Sequence, residues 1–255
     1  MGYQTPKGMY DILPNEAAAW HEVEEKLHEI SARYGYHEIR TPYLENTEVF
    51  KRENDSSDMV NKEMYTLETA HHSFTLRPEG TAGVIRSFVE HKMYGNNDYP
   101  VKLYYMGPMF RSERPQKGRQ RQFNQYGVEN IGITSPEIDA EMIAFGVDIL
   151  KSFNISSLKV LINTLGDEES RKSYRTALQE YFTPHVDELC DDCKRRLEMN
   201  PLRILDCKVD RDSDLVSNAP KMKDYLTDES SCAHRRHGGR SLSRIPYYKG
   251  GSGRS

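Results

Sequence analysis

The side chains best suited to chemistry lie between residues 105 and 132, where a basic loop joins two segments that alternate as strands do. The loop holds five cations within eleven residues, and Glu113 is the one acid among them. The cations are Arg111, Arg114, Lys117, Arg119 and Arg121. Arginine presents a rigid fork of N–H donors that matches phosphate oxygens. The loop therefore predicts a site for a polyphosphate, with a solvated surface loop as the alternative.

Three residues at alternate or near-alternate positions follow the loop: Phe123, Gln125 and Glu129. Side chains at even spacing share one face of a strand. Phe123 could stack on a purine base, or it could fill a core. Gln125 and Glu129 could extend a polar site, or they could belong to an exposed sheet face. This face suggests a small cationic or polar ligand beside the phosphate site.

A second polar group of residues stands in the sequence Arg-Pro-Glu-Gly-Thr at residues 77–81. It places Glu79 and Thr81 at a turn where a helix is predicted to begin. A carboxylate and a hydroxyl at such a turn are typical helix caps. The same pair could instead bind an ammonium group, with the carboxylate supplying charge and the hydroxyl fixing its direction. Both interpretations stay open on the residues alone.

The hydrophobic spacing predicts an α+β fold, with an antiparallel sheet flanked by helices rather than a regular βαβ alternation. Residues 35–45 are predicted to form one strand that contains Pro42. Proline cannot donate a ladder hydrogen bond, so this strand is expected at an edge, a bulge or a subunit interface. Further strands are predicted at 64–67, 73–76, 101–106, 123–133 and 158–162. Helices are predicted at 15–34, 82–91, 136–153 and 168–182, with a helical pattern from 185 to about 199.

The composition is that of an ordinary globular protein, with 36% hydrophobic residues, 29% charged residues and a net charge of −4. No run approaches the roughly 18 apolar residues that a membrane-spanning helix needs. The N-terminus shows no secretory signal pattern. A cytoplasmic location without membrane association is therefore expected, and the overall charge alone predicts no nucleic-acid binding.

Four cysteines are too few for a disulfide framework. Cys190 and Cys193 have the spacing of a zinc or redox pair, but a zinc site needs a fourth ligand of suitable spacing and Cys232 is remote in sequence. The sequence therefore favours reduced structural thiols and predicts no metal site.

The last 25 residues, 231–255, differ from everything before them. They contain six basic residues, five glycines and five serines, and no Asp or Glu. Such a segment buries too little apolar surface to offset the entropy of ordering, so a disordered basic tail is expected. A nucleic-acid-binding tail is the alternative.

Over residues 3–229 the chain closely resembles a histidyl-tRNA synthetase, a class II aminoacyl-tRNA synthetase. Four segments carry the resemblance: TPKGMYDILP, GYHEIRTPYLE like motif 1, TLRPEGT, and GPMFRSERPQKGRQRQFNQYGVENIG like motif 2. The segments CKRRLEMNPLRILDCK and APKMKDYL resemble the family's insertion region. The resemblance implies a class II catalytic core over residues 1–230, with the insertion region at about 168–230.

The resemblance assigns the phosphate site residue by residue. Arg111 matches the motif 2 arginine that contacts the α-phosphate and the substrate carboxylate, so it would be both a catalytic and a histidine-binding residue. Glu113 and Arg119 match loop positions that contact ATP. Phe123 matches the phenylalanine that stacks on adenine.

The resemblance also assigns the amino-acid site. Glu79, Thr81 and Gln125 match residues around the amino group of histidine, and Glu129 matches the carboxylate that faces the imidazole ring. Pro42, within motif 1, would lie at a homodimer interface.

The implied function is that of a histidine–tRNA ligase. Histidine reacts with ATP to give histidyl-adenylate and pyrophosphate, and the histidyl group then passes to tRNA(His). Mg²⁺ would accompany ATP, and no prosthetic group is implied. The expected partners are histidine, ATP, tRNA(His) and a second copy of the chain.

Three features of the family have no counterpart in this sequence: an LVRGLDYY-like segment with a second catalytic arginine, motif 3, and the anticodon-binding domain. The catalytic core is therefore expected to be incomplete at its C-terminal end, and the chain to be a truncated, catalytically impaired form. The alternatives are a catalytically silent regulatory subunit of ATP phosphoribosyltransferase, or a non-functional fragment.

Overall fold

The structure, a computed structural model, describes residues 2–51, 63–95 and 99–231. Residues 232–255, which include Cys232 and nearly all of the predicted tail, lie outside the described residues. The disorder expected for this tail therefore stays a prediction. Among the described residues, no helix has the length and apolar character needed to cross a membrane.

The first helix, α1, Pro14–Arg33, confirms the helix predicted at residues 15–34. Proline is tolerated in a first turn because its missing N–H would have no intrahelical partner there. Gly35 adopts a φ of +74°, a left-handed conformation that ends the helix. The helix buries Leu27 and Ile30 on one side, as its apolar stripe predicts.

Six strands in the described residues form two three-stranded sheets. The strands are β1 His37–Glu38, β2 Leu44–Asn46, β3 Tyr65–Glu68, β4 Ser73–Leu76, β5 Val101–Phe110 and β6 Gln122–Ile131. One sheet has the order β1-β5-β6 and the other β2-β4-β3. All pairs are antiparallel except β1 with β5, which is parallel. The antiparallel sheets and the α+β class are thus confirmed, with one parallel pair that the sequence pattern did not indicate.

The hairpin of β5 and β6 confirms the strand–loop–strand prediction and is longer than expected in its first arm. Ten residue pairs run from Val101 opposite Ile131 to Phe110 opposite Gln122. Opposite residues in an antiparallel pair project from the same face. One face therefore combines Tyr105 and Met109 of β5 with Phe123 of β6.

The single strand predicted over residues 35–45 is wrong. The chain forms β1, leaves the first sheet, and enters the second sheet as β2. Pro42 lies in the connection between the two strands. Its missing N–H explains why a ladder does not continue through this point.

In the described residues, the helices after α1 are α2 Thr81–Glu90, α3 Pro136–Ser152, α4 Glu168–Phe182, α5 Asp191–Met199 and the short α6 Asp214–Ser217. The first three confirm the predicted helices at 82–91, 136–153 and 168–182. The helical pattern from 185 to 199 is confirmed only in part, because the chain is extended at Leu189 and Cys190 before α5 begins.

The strand predicted at residues 158–162 is wrong, since residues 155–167 form neither helix nor strand. A strand requires a partner to satisfy its backbone groups. Val160 and Leu161 are 37% and 79% exposed, so the apolar pattern here does not mark a buried strand.

The chain divides into two compact units. Unit 1 comprises residues 1–134 and 145–156, and unit 2 comprises 135–144 and 157–255. In unit 1, one face of the hairpin packs Leu103 and Met109 against Val84 of α2. On its other face, the ring of Tyr126 lies 6.5 Å from that of Phe145 of α3, and its hydroxyl lies 2.8 Å from that of Ser31 of α1.

Unit 2 has a core of its own, built from α4, α5 and the short turns that follow them. Its fully buried members include Leu178 and Phe182 of α4, Cys193 of α5, and Ile204. At the start of α4, the Asp167 carboxylate accepts hydrogen bonds from Ser170 N–H and the Ser230 hydroxyl.

Candidate functional site

The turn between β4 and α2 places the Glu79 carboxylate at the beginning of the helix. Its Oε2 accepts from the Thr81 N–H at 2.5 Å and its Oε1 from the Ala82 N–H at 3.0 Å. Two orphan amides of the first turn are thus satisfied, as the capping interpretation predicts. These bonds also fix the direction of the carboxylate.

Thr81 and Glu129 come together beside Glu79, with Tyr105 of β5 among them. The Thr81 hydroxyl lies near both Tyr105 and Glu129 and lowers the pKa of each. Burial raises the pKa of Glu129, the Thr81 hydroxyl opposes that shift, and the nearby Glu79 charge adds to it. Two carboxylates that lie close enough to repel each other favour a cationic ligand between them. Three of the five residues predicted to bind histidine are therefore in one cluster.

Tyr105 is a member of this cluster that the sequence analysis missed. A Cβ on Gly80 would lie 2.1 Å from one edge of its ring, and a Cβ on Gly127 would lie 2.3 Å from its hydroxyl end. The ring therefore fits only because both neighbours are glycines. Burial raises the pKa of Tyr105, so its hydroxyl stays protonated and can donate a hydrogen bond. Gly127 was the available signal for this packing, because a glycine inside a strand often marks a point where another group approaches the backbone closely.

Gln125 lies on β6 opposite Gly107, which has no side chain to cover it. In the described part of the chain, its Oε1 is buried and has no hydrogen-bond partner. A buried acceptor without a partner costs free energy unless a ligand or water supplies a donor. This observation supports the prediction that Gln125 faces a ligand.

Arg111 follows β5 directly and lies over Phe123, with the guanidinium carbon 5.1 Å from the ring centroid. Its Nε donates to the Pro78 carbonyl oxygen at 2.9 Å. Pro78 precedes Glu79 in the chain, so this bond places the arginine next to the carboxylate cluster. The rest of the guanidinium remains available for an anion, and Phe123 supplies a flat apolar surface beside it.

The basic loop folds back on itself as a small hairpin. Gln116 and Arg119 exchange backbone hydrogen bonds of 3.1 and 2.9 Å around a turn in which Gly118 has a φ of +80°. An Arg119 nitrogen lies 3.0 Å from the Glu113 carboxylate. These residues line an open cleft of about 460 Å³. The two side chains predicted to contact ATP from the loop are therefore paired with each other.

The N-terminal segment supports this loop. The Gly8 carbonyl oxygen accepts the N–H groups of Arg121 and Gln122 at 2.7 and 3.2 Å. Gly8 has a φ of +87°, and a Cβ there would lie 2.7 Å from Pro115. Residues near the start of the chain thus hold the base of the loop in place.

Arg77 is a buried support of the 77–81 turn. It is 3% exposed, its Nε donates to the Pro108 carbonyl oxygen at 3.0 Å, and its Nη1 donates to the Thr41 carbonyl oxygen at 3.1 Å. Burial lowers the pKa of Arg77. These contacts join β5 to the segment that carries Pro42, which itself lies apart from the cluster around Glu79.

Unit 2 holds a second group of side chains with possible chemistry. Four potential metal ligands, Cys190, Cys193, Cys207 and Asp210, have ligand atoms that all lie within 4.8 Å of one another. The sequence indicated no fourth ligand of suitable spacing, and Asp210 occupies that position in the structure.

In unit 1, the geometry can therefore bind a molecule that carries both positive and negative groups. Glu79, Glu129 and the hydroxyls of Thr81 and Tyr105 suit an ammonium group and a ring N–H. Arg111 suits an anion next to them. Phe123 and the loop beyond it suit a nucleotide.

Comparison with known proteins shows the family of the chain. A family model described as Histidyl-tRNA synthetase matches residues 8–217. The chain belongs to the histidyl-tRNA synthetase family. It is similar to the histidine–tRNA ligase of Geobacillus sp. (strain WCH70), with 57% identity over 232 residues, which are 90% of this chain and 55% of that protein. It is also 55% identical over 227 residues to the histidine–tRNA ligase of Staphylococcus epidermidis (strain ATCC 35984).

Solved structures of the histidyl-tRNA synthetase family show the same fold. The apo S. aureus histidyl-tRNA synthetase matches 92% of this chain and 53% of its own, with a TM-score of 0.71 and 41% identity. A Bacillus halodurans structure, titled as an ATP phosphoribosyltransferase regulatory subunit/histidyl-tRNA synthetase, has a TM-score of 0.63 at 23% identity, a likeness of fold alone. The predicted class II catalytic core is thus confirmed. The chain spans about 55% of the length of the Geobacillus relative.

Proposed function

We propose that these residues supply the histidine-binding and ATP-binding site of a histidine–tRNA ligase. One observation carries the proposal: Glu79, Thr81, Tyr105 and Glu129 form an acidic, hydroxyl-lined cluster, and Arg111 is anchored next to it through the Pro78 carbonyl. Histidine has an ammonium group and a ring N–H for the cluster, and a carboxylate for the arginine. The site therefore matches both the positive groups and the carboxylate of histidine.

In the reaction, an oxygen of the histidine carboxylate attacks the α-phosphorus of ATP. The bond from that phosphorus to the bridging oxygen breaks, and pyrophosphate leaves with the electron pair. Arg111 would lower the repulsion between the carboxylate and the phosphate as they approach. Mg²⁺ bound to ATP would neutralise the pyrophosphate oxygens. The histidyl group then passes to the 3′ end of tRNA(His), and AMP is released.

The remaining residues would position the two substrates. Glu79 would accept from the histidine ammonium, with Thr81 fixing its direction and Gln125 adding its unpaired oxygen. Glu129 would accept from the imidazole N–H. Phe123 would stack on adenine, and Glu113 and Arg119 would exchange their mutual ion pair for contacts to ATP.

Histidine-dependent exchange of pyrophosphate into ATP tests the proposal directly. We expect exchange by these 255 residues to depend on histidine and on no other amino acid. We also expect it to be slow, because these residues hold no counterpart of the family's second catalytic arginine or of motif 3. Exchange driven equally by other amino acids would contradict the assignment. Exchange as fast as that of the Geobacillus relative would contradict the expected impairment while leaving the site assignment intact.

Substituting Glu129→Gln should weaken histidine binding by about tenfold or more, because it removes a charged acceptor. It should also stabilise the ligand-free protein at neutral pH. The folded state raises the Glu129 pKa, so it binds that proton more tightly than the unfolded chain does. The resulting stability is complete below the unfolded pKa and is lost as the pH rises through the folded value.

Calorimetric titration with histidine and thermal unfolding at pH 4 and pH 7 would measure both effects of Glu129→Gln. Glu180→Gln, at an exposed position of α4, is the matched control and should change neither quantity. A Glu129→Gln protein that binds histidine normally would show that this carboxylate does not face the ligand.

We also propose that the surface around Pro42 joins two copies of the chain. Pro42 borders a shallow depression with Ile85 and Val89 of α2, which are 39% and 56% exposed, and the adjoining Tyr43 is 52% exposed. Neighbouring apolar side chains of this kind are typical of an interface. The motif 1 resemblance points to the same surface.

Substituting Val89→Asp should convert the dimer to a monomer, because it would bury a charge without a partner in the interface. Size-exclusion chromatography with light scattering gives the mass directly. Leu161→Asp, at an exposed apolar position in unit 2, should leave the mass unchanged. If the Val89→Asp protein keeps the mass of a dimer, this surface is not the interface.

A further inference from the structure

Unit 2 brings three cysteines and one aspartate to a single point. The Sγ atoms of Cys190, Cys193 and Cys207 and a carboxylate oxygen of Asp210 all lie within 4.8 Å of one another. Cys193, Cys207 and Asp210 are buried, and Cys190 is partly exposed. The site described for histidine and ATP uses none of these four residues.

Two short turns position the four residues. The first pair, Cys190 and Cys193, has the spacing C-x-x-C at the beginning of α5, where Cys190 is the N-cap residue. The second pair, Cys207 and Asp210, has the same spacing in the turn after the 3₁₀ helix Pro201–Ile204. Zinc sites are commonly built from two such pairs, each on a tight turn, with an intervening segment between them.

One hydrogen bond joins the two turns, and a second closes the turn that carries Cys207 and Asp210. The Cys190 N–H donates to Asp210 Oδ2 at 3.1 Å, so one turn is tied to the other. The Arg211 N–H donates to the Cys207 carbonyl oxygen at 3.0 Å and closes the second turn. The ligand atoms are therefore preorganised by the fold rather than gathered by chance contact.

The sulfur separation fits metal coordination rather than a disulfide. Cys190 Sγ and Cys207 Sγ lie 3.7 Å apart. A disulfide requires about 2.05 Å between sulfurs. A tetrahedral ion with Zn–S bonds of about 2.3 Å places its sulfur ligands about 3.8 Å apart.

The local charges also favour a cation at this point. Asp210 is 8% exposed, accepts a hydrogen bond from the Cys190 N–H, and lies close enough to Arg196 for that charge to lower its pKa. A buried carboxylate is costly unless a positive charge offsets it. The Arg196 guanidinium also interacts with Cys193, so a positive group already lies beside the sulfur atoms.

We propose that Cys190, Cys193, Cys207 and Asp210 bind one Zn²⁺ ion in a closed, structural site. Thiolate ligands select zinc over magnesium and calcium, which take oxygen ligands. Four protein ligands leave no open position for a substrate, so the ion would be structural. Binding would release the thiol protons to solvent and cross-link the start of α5 to the 207–210 turn, next to the buried Leu197 and Ile204.

The test uses the 255-residue chain purified under reducing conditions. Elemental analysis should give one zinc per chain. Replacing zinc by Co²⁺ should give the thiolate-to-cobalt charge-transfer band and the visible bands of tetrahedral cobalt. Removing zinc with a chelator should lower the temperature at which the helices melt, because zinc binds the folded state preferentially.

Three variants test the ligand set. Cys193→Ser and Asp210→Asn should each weaken Co²⁺ binding at least about tenfold. Cys232→Ser, which removes the fourth cysteine of the chain, should change nothing. Cys193 is fully buried, so its variant could misfold. The Co²⁺ spectrum of the unsubstituted chain and the Co²⁺ affinity of the Asp210→Asn protein therefore test the site independently of that variant.

Any of three results would overturn the proposal. The first is a folded, reduced chain that gives no cobalt spectrum. The second is a spectrum that survives both Cys193→Ser and Asp210→Asn but is lost in Cys232→Ser. The third is a Cys190–Cys207 disulfide that persists in the chain purified under reducing conditions, as detected by mass spectrometry.

Discussion

Substituting Arg111→Ala should weaken the binding of a non-hydrolysable histidyl-adenylate analogue by about a hundredfold. The guanidinium would face both the phosphate oxygen and the carbonyl end of the histidyl group, and hydrogen bonds to charged groups contribute about 1.5–3 kcal/mol each. Part of the loss would come from Phe123, whose ring would no longer have the arginine over it. Isothermal titration calorimetry would measure the change.

Two control variants separate the role of Arg111 from general loss of positive charge. Arg119→Ala removes an exposed arginine of the same loop that pairs with Glu113. It should lower the affinity for the analogue by about fivefold or less. Arg111→Lys keeps the charge but loses the fork of donors, and should restore only part of the affinity. Equal losses for Arg111→Ala and Arg119→Ala would show that the loop acts as a diffuse basic patch.

Substituting Gly127→Ala should destabilise the protein by about 2–3 kcal/mol and abolish tight histidine binding. The new Cβ would lie 2.3 Å from the Tyr105 ring. The ring has little room to move, because it also packs so closely against Gly80 that a Cβ there would lie 2.1 Å from it. Tyr105 would have to leave the cluster, and Thr81 and Glu129 would lose the hydroxyl between them.

Thermal unfolding and histidine titration would measure the effect of Gly127→Ala. Gly146→Ala, on α3, is the matched control, since a Cβ there meets nothing within 4 Å and alanine is the better helix former. It should be neutral or stabilising by up to about 1 kcal/mol. Tyr105→Phe, which keeps the ring but removes the hydroxyl, should weaken histidine binding with a smaller loss of stability. Normal stability of the Gly127→Ala protein would disprove the close packing.

The elements with strong periodicity were predictable from the sequence. The spacing of apolar residues over α1 predicts the side that buries Leu27 and Ile30, and the structure agrees. The alternation along β6 predicts the strand itself, but the described strand has no fully buried face. The convergence of Glu79, Thr81 and Glu129 followed from the family resemblance rather than from spacing, since β6 lies about fifty residues from the 77–81 turn in sequence.

Three features could not be predicted because each depends on tertiary packing. The division of residues 35–45 between two sheets depends on which strands lie beside each half. Tyr105 looks like one of several tyrosines in an apolar strand, and only the two adjacent glycines in space reveal its role. The approach of Cys207 and Asp210 to the C-x-x-C pair depends on how the chain turns after α5.

The central claim is that one face of β6, together with the 77–81 turn and Arg111, recognises histidine joined to adenylate. Competition binding with non-hydrolysable aminoacyl-adenylate analogues tests it most directly. We predict that the histidyl analogue binds at least about a hundredfold more tightly than the glutaminyl or alanyl analogue, and that Glu129→Gln removes most of this preference. Equal affinity for all three analogues, or a preference that survives Glu129→Gln, would contradict the account.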